Sequence, residues 1–343
     1  MRVFHLMAGA RVGGAERFFE RLLPALGQAG VTQAAAIRRH PERAAHLRAH
    51  GIVTTELRFG GPVDLITRWR VPGLVRAFAP DLVLAWMSRA ADRMPQGSWV
   101  TAARLGGYYK LTHYRRCRHL IGNTEDIARY LRAEGHPADR VHVLPNFADP
   151  PGAGMVARSA LATSEAAPVL LCLGRLHTNK AFDVALKALA DLPEAILWLA
   201  GVGPEEAALR ALADQLGVAA RVRWLGWRDD TGPLLRAATV LLCPSRHEPL
   251  GNVVLEAWAA GTPVVAAASA GPASLIQDRV DGCLVPIDDA AALAQACRAV
   301  INDPAAAAAL SQAGLARFAS DFTATAVVAQ YVALFQRLCA ERT

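Results

Sequence analysis

Strand-like and helix-like segments alternate along this chain, and they do so in two successive series. The first opens on an apolar strand at residues 2–7. A glycine-rich turn follows at 9–14, then an amphipathic helix over 16–29 with Phe18, Phe19, Leu22, Leu23 and Leu26 on one face. Further strands are predicted at 33–37, 52–57, 81–86, 98–103, 117–121 and 141–144. Residues 145–165 carry Pro150, Pro151, Gly152 and Gly154 in weakly patterned sequence, which reads as a linker. The alternation then restarts, with strands expected at 169–173, 195–200, 222–224, 239–243, 263–267 and 282–286 and a closing helix over 321–342. Strands separated by helix-length segments build parallel sheets covered on both faces. The pattern therefore predicts an α/β protein of two doubly wound domains. The expected bounds are 1–149 and 168–320, joined by a linker at 150–167, with a terminal helix at 321–343 packing back toward the first domain. Ligands of such sheets bind beyond the carboxyl ends of the strands, so a central cleft faced by the two domains is the expected site.

Composition narrows the function classes. Hydrophobic residues make up 53% and charged residues 20% of the 343 positions, which excludes global disorder. The apolar stretch at 4–8 is too short for a secretory leader. The longest uncharged run, 257–276, is broken by Gly261, Pro263, Gly271 and Pro272, so no integral anchor is expected. The six cysteines are scattered without a C-x-x-C. That spacing favours buried reduced thiols in a cytoplasmic protein over disulfides or a zinc site. The net charge of +7 is unevenly spread. Residues 1–149 hold 22 Lys/Arg against 12 Asp/Glu, whereas 150–343 hold 15 against 18. A basic first half suits an anionic membrane leaflet, nucleic acid, or simply a solvated face.

The segment from His247 to Glu256 is the most specific. Glu248 lies in a Pro/Gly-interrupted loop after a buried strand end. Glu256 lies in a helix predicted over 253–260, with Asn252 as its cap. Strand, loop, glycine and helix N-terminus in that order form an anion-accepting pocket. Glutamates there are poor phosphate ligands and good acceptors for sugar and ribose hydroxyls. By itself the pair is equally compatible with acid–base work or a metal site.

Three more loops follow strands. Gly13-Gly14-Ala15-Glu16 opens a helix where glycines let a phosphate approach the backbone; its spacing is not G-x-G-x-x-G, which disfavours NAD. The loop Gly174–Lys180 places Arg175 and Lys180 where two cations neutralise a diphosphate leaving group, although surface salt bridges give the same pattern. Gly201-Val202-Gly203-Pro204 is a nucleotide-proximal loop or a plain turn. No D-x-D and no zinc-spaced histidines occur, so no metal is expected. Residues 108–119 mix tyrosines with cations, as a membrane-surface segment, a nucleic-acid contact or a helix with its aromatics turned inward would.

Taken in order, these motifs resemble the retaining glycosyltransferases of family 4, which have the GT-B fold. The matching residues also include Asn123-Thr124, Pro145-Asn146-Phe147-Ala148-Asp149, Gly261-Thr262-Pro263-Val264-Val265 and Asp281-Gly282. The resemblance implies roles. Arg175, Lys180 and Glu248 form the catalytic set, two cations on the diphosphate and a carboxylate on the transferred sugar. Gly13, Gly14, Gly203, Leu250, Gly251, Asn252 and Val253 line the donor, and Glu256 grips the ribose. It also implies transfer with retained configuration, without a cofactor or metal, from a UDP-sugar or possibly a GDP-sugar. The expected acceptor is lipid-linked, a lipopolysaccharide or another glycan. The enzyme would be peripheral at the inner face of the cell membrane, held by its basic first domain and not bound to nucleic acid. A nucleotide-sugar epimerase or phosphorylase, or an inactive scaffold, would share the fold. Relatives carry a His after a first-domain strand; the comparable stretch 101–107 has none, and Arg104 or His113 are the candidate replacements. The usual K-G is Lys180-Ala181, and the usual P-N-G is Pro145-Asn146-Phe147.

Overall fold

A computed structural model describes residues 1–11, 13–60 and 64–341. The chain divides into two compact units, Met1–Asn146 with Ala324–Thr343, and Phe147–Thr323.

The first unit holds seven strands: β1 Arg2–Met7, β2 Thr32–Arg38, β3 Val53–Leu57, β4 Leu82–Trp86, β5 Val100–Leu105, β6 His119–Gly122 and β7 Val141–Val143. All pair in parallel, in the order β3-β2-β1-β4-β5-β6-β7. The second holds six: β8 Val169–Leu173, β9 Ile196–Ala200, β10 Val222–Gly226, β11 Val240–Cys243, β12 Val264–Ala267 and β13 Cys283–Val285. Their order is β10-β9-β8-β11-β12-β13, again parallel throughout. Each sheet reverses direction of growth once, between β1 and β4 and between β8 and β11. At such a switch the two neighbouring loops diverge and leave a crevice at the strands' carboxyl ends.

Burial on both faces explains the continuous apolar runs. Leu170 and Cys172 of β8 face one core, and Val169, Leu171 and Leu173 face another across the sheet. In the first unit His5 sits inside β1. Its Nε2 is 3.1 Å from Gln33 Oε1, and Trp86 Nε1 approaches its Nδ1 at 3.4 Å. Burial drives its pKa down to about 3, so the ring is neutral. All six cysteines are free, and four are buried. Burial raises the Cys117 thiol to about 12 and Cys243 to about 11, which leaves them unreactive.

Three differences from the sequence reading have physical causes. Residues 150–167 are packed into the second unit. Arg158 Nε donates to the Ala237 carbonyl at 2.9 Å and Trp198 Nε1 to Thr163 Oγ1 at 2.9 Å, contacts that loop composition cannot reveal. The terminal helix, which belongs to the first unit, begins at Ala324 and not at residue 321, because Phe318–Phe322 forms a separate helical turn that ends on the extended Thr323. By length and composition the helical run Pro304–Ala340 could cross a bilayer. Thr323 breaks it with extended backbone (ψ 156°), and Phe318, Phe322, Val327, Tyr331 and Phe335 are buried. Finally, Asn252 does not cap its helix. The Asn252–Ala260 helix starts from Gly251 in the left-handed region (φ +90°), and Asn252 is its exposed first residue.

Candidate active site

In the second unit the loops after β8, β9 and β11 meet backbone to backbone. Gly174 N–H donates to the Ala200 carbonyl at 3.0 Å, Leu176 to Val202 at 3.1 Å and Glu205 to Leu176 at 3.1 Å. Only glycine permits that approach: a Cβ on Gly201 would lie 1.8 Å from the Gly174 carbonyl oxygen, and one on Gly203 would meet the Leu176 carbonyl at 2.2 Å. The loop after β11 is tied in turn. His247 N–H reaches the Asn179 carbonyl at 3.3 Å, and Gly271 N–H donates to the Glu248 carbonyl at 2.7 Å. Arg246 reinforces the link, with two guanidinium nitrogens on the Asp183 carboxylate at 2.9 and 2.7 Å and a third 2.6 Å from Asp288.

This frame brings Lys180 and Glu248 together. The Lys180 ammonium donates to a Glu248 carboxylate oxygen, with side chains 24% and 13% exposed. Burial works against the Lys180 charge. The Glu248 carboxylate outweighs it, helped by Cys243 and Glu256, so the ammonium is held above its ordinary pKa. Glu256 thus lies within electrostatic reach of Lys180. Arg175 is exposed one residue beyond Gly174. Leu250 is buried and Val253 half-buried beside them. Ala181, where the resemblance expects glycine, sits in the left-handed region at φ +53°. The departure is tolerated with a backbone strain of about 1–2 kcal/mol. Among the described residues no group of three or more His, Cys, Asp or Glu is placed to hold a metal ion.

The first unit's glycine-rich turn follows β1 at its own switch point; Val12 lies outside the described residues. Glu16 is buried and accepts from Ala10 N–H at 2.6 Å. A Cβ on Gly9 or Gly13 would strike its carboxylate, so these two glycines make room for Glu16. Gly14 is different: it is exposed, with nothing within 4 Å of a Cβ.

Both candidates for the missing histidine are paired within the first unit. Arg104 is buried at the end of β5. Its Nε donates to Tyr331 Oη at 2.6 Å and its Nη2 to Asn146 Oδ1 at 2.5 Å, and its guanidinium lies 4.4 Å over the Phe18 ring. It is a structural cation of the first unit. His113 is half-exposed on a short 3₁₀ turn with Nδ1 2.9 Å from the Asp92 carboxylate. Its segment divides its aromatics: Tyr114 is buried and Tyr109 half-buried, whereas Tyr108 is exposed, and Lys110, Arg115, Arg116 and Arg118 face solvent.

The sequence reading missed Arg246, whose signal was a cation directly before His247-Glu248. It also missed the pairing of Lys180 with Glu248, residues 68 positions apart.

Two parallel sheets, each with a glycine loop at its switch point, define the GT-B class of glycosyltransferases. Known structures agree. HepE of Anabaena in complex with UDP matches with a TM-score of 0.86 at 20% identity, covering 98% of this chain and 100% of that one. The lipopolysaccharide outer core galactosyltransferase WaaB matches with a TM-score of 0.77 at 17% identity, covering 98% and 100%. The Glycosyltransferase Family 4 model matches residues 12–150, and the Glycosyl transferases group 1 model matches 167–303. The lipopolysaccharide core biosynthesis glycosyltransferase LpsE of Rhizobium meliloti is 36% identical over 343 residues, 97% of this chain and 98% of its own. LpsD of the same organism is 35% identical over 347 residues, 100% of both. The chain belongs to glycosyltransferase family 4.

Proposed function

We propose that this protein transfers a sugar, with retained anomeric configuration and without a metal, from a nucleotide diphosphate sugar to a hydroxyl of a lipopolysaccharide core acceptor. The observation that carries the reading is the Lys180–Glu248 pair at the switch point of the second sheet, with Glu256 in reach. A diphosphate drawn to the Lys180 ammonium competes for it with Glu248. The freed carboxylate then accepts hydroxyls of the sugar, while Arg175 supplies a second cation and Glu256 accepts from the ribose. Bond cleavage builds negative charge on the leaving oxygen, where fixed cations lower the barrier. The leaving phosphate itself takes the acceptor's proton, so no strong protein base is needed.

The LpsE and LpsD names support the core acceptor. HepE, solved with UDP and with UDP-glucose, supports a UDP-sugar donor. The enzyme works at the cytoplasmic face of the membrane. Helix Leu65–Phe78 supports this placement: Leu65, Ile66 and Trp69 are 65%, 52% and 86% exposed, with Arg68 and Arg70 beside them, an arrangement suited to an anionic leaflet.

Thermal unfolding with UDP, GDP, ADP and their sugars tests the donor. A nucleotide at 100 times its Kd adds about 2.7 kcal/mol of stability. Stabilisation by UDP, then an α-linked product from an α-linked donor by NMR, is the expected result. No shift with any nucleotide would sink the reading.

A further inference from the structure

The first unit carries a second concave feature. A hollow of about 480 Å³ opens at the carboxyl ends of β1 and β2, beside the glycine-rich turn. Its floor is fixed. The buried Arg43 holds Glu20 at 2.6 Å and reaches the Ala10 and Arg11 carbonyls at 3.4 and 3.2 Å, while His40 Nε2 lies 3.2 Å from the Arg11 carbonyl. The rim consists of Arg11, Arg38 and Arg39, all exposed. Among the described residues, none of the three makes a side-chain hydrogen bond or ion pair. Glu42 is the carboxylate in the lining. With Arg43 paired to Glu20, three solvent-exposed guanidinium groups without partners among the described residues share the hollow with one carboxylate.

Such an arrangement is built for an anion. Guanidinium groups present paired donors that match phosphate and carboxylate oxygens, and the rigid floor spares the ordering cost of a flexible cluster. It lies at the carboxyl ends of β1 and β2, one strand removed from the β1/β4 switch point. Lys180 and Arg175, the cations assigned to the donor, belong to the other unit, and the rim arginines form a separate cationic cluster. We propose that Arg11, Arg38 and Arg39 form an acceptor subsite that selects glycans bearing a phosphate or a carboxylate. The inference rests on the glycosyltransferase reading and names the acceptor chemistry it leaves open.

The test uses the full chain in saturating UDP, so that a free anion does not report on the donor site. Calorimetric titration with a deacylated lipopolysaccharide core oligosaccharide is compared with the same oligosaccharide after dephosphorylation and after reduction of its uronic acids. The wild type is expected to lose about tenfold to a hundredfold in affinity for one treated form, the range for hydrogen bonds to charged groups. That form tells phosphate from carboxylate. The Arg38→Gln/Arg39→Gln variant should bind all three forms alike while its UDP affinity is unchanged. Equal wild-type binding of all three, or a preference kept in the variant, overturns the subsite. A wild type that binds none of the three counts against the core acceptor proposed above. Inorganic phosphate and galacturonate then decide the subsite alone: saturable binding lost in the variant sustains it, and binding that is absent or unaltered overturns it.

Discussion

Arg104 and Lys180 stand at comparable places in the two units, each near the carboxyl end of a central strand, and they serve opposite ends. Arg104 is enclosed by Phe18 and Trp86 and holds two neutral oxygens, on Tyr331 and Asn146. Its Nε and Nη2 donors are aimed into the unit's own core. Lys180 is partly open to solvent and holds one carboxylate, that of Glu248, to which the proposed function gives a second use. A cation satisfied by neutral groups in the interior is architecture. A cation held by an exchangeable carboxylate at a glycine-lined loop is available for chemistry. Residue type and strand position do not separate the two; the partners do.

The largest expected effect comes from the second unit. Lys180→Ala or Glu248→Ala should lower kcat/KM by roughly 10²–10³, the range for removing one preorganised charge partner, with circular dichroism unchanged. Near-full turnover in either would erase the contrast. Arg104→Ala should act on stability. It takes one donor from the buried Tyr331 hydroxyl and one from Asn146, at about 3 kcal/mol in denaturant titration. An unaltered midpoint with lost transfer would make Arg104 a site residue after all.

Acid distinguishes the units more gradually. Burial holds His5 at about 3 and His119, beside His142, at about 4. Their folded values are depressed, so the unfolded chain binds protons first as pH falls below about 6.5. Stability is therefore full above that pH and declines by about 1.4 kcal/mol per pH unit for each histidine down to its folded value. Both lie in the first unit. Hydrogen exchange at pH 5 should show that unit opening before the second; the reverse order would contradict the assignment.

Most of the fold was legible because parallel strands covered on both faces are continuous apolar runs, as in Leu82–Trp86 and Val169–Leu173. The helix Met87–Ala91 was not, since it follows β4 directly with Met87 at φ +67° and no turn residue to announce it. The loops after β8, β9 and β11 were legible as motifs, because glycines and charges at strand ends are local signals. What Arg104 does was hidden, as its partners Asn146 and Tyr331 are 42 and 227 residues away. Nothing local in Gly13–Glu16 announces that the Glu16 carboxylate folds back onto its own loop.

The return of the helix Ala324–Ala340 to the first unit sets an order of events during synthesis. A ribosome emits Arg104 long before Tyr331, and the whole second unit is made in between. Until then Phe18 and Arg104 lack the helix that covers them, so the unit made first is completed last. Nascent chains ending near Thr323 should therefore expose an open apolar face to chaperones even when the second unit is already native.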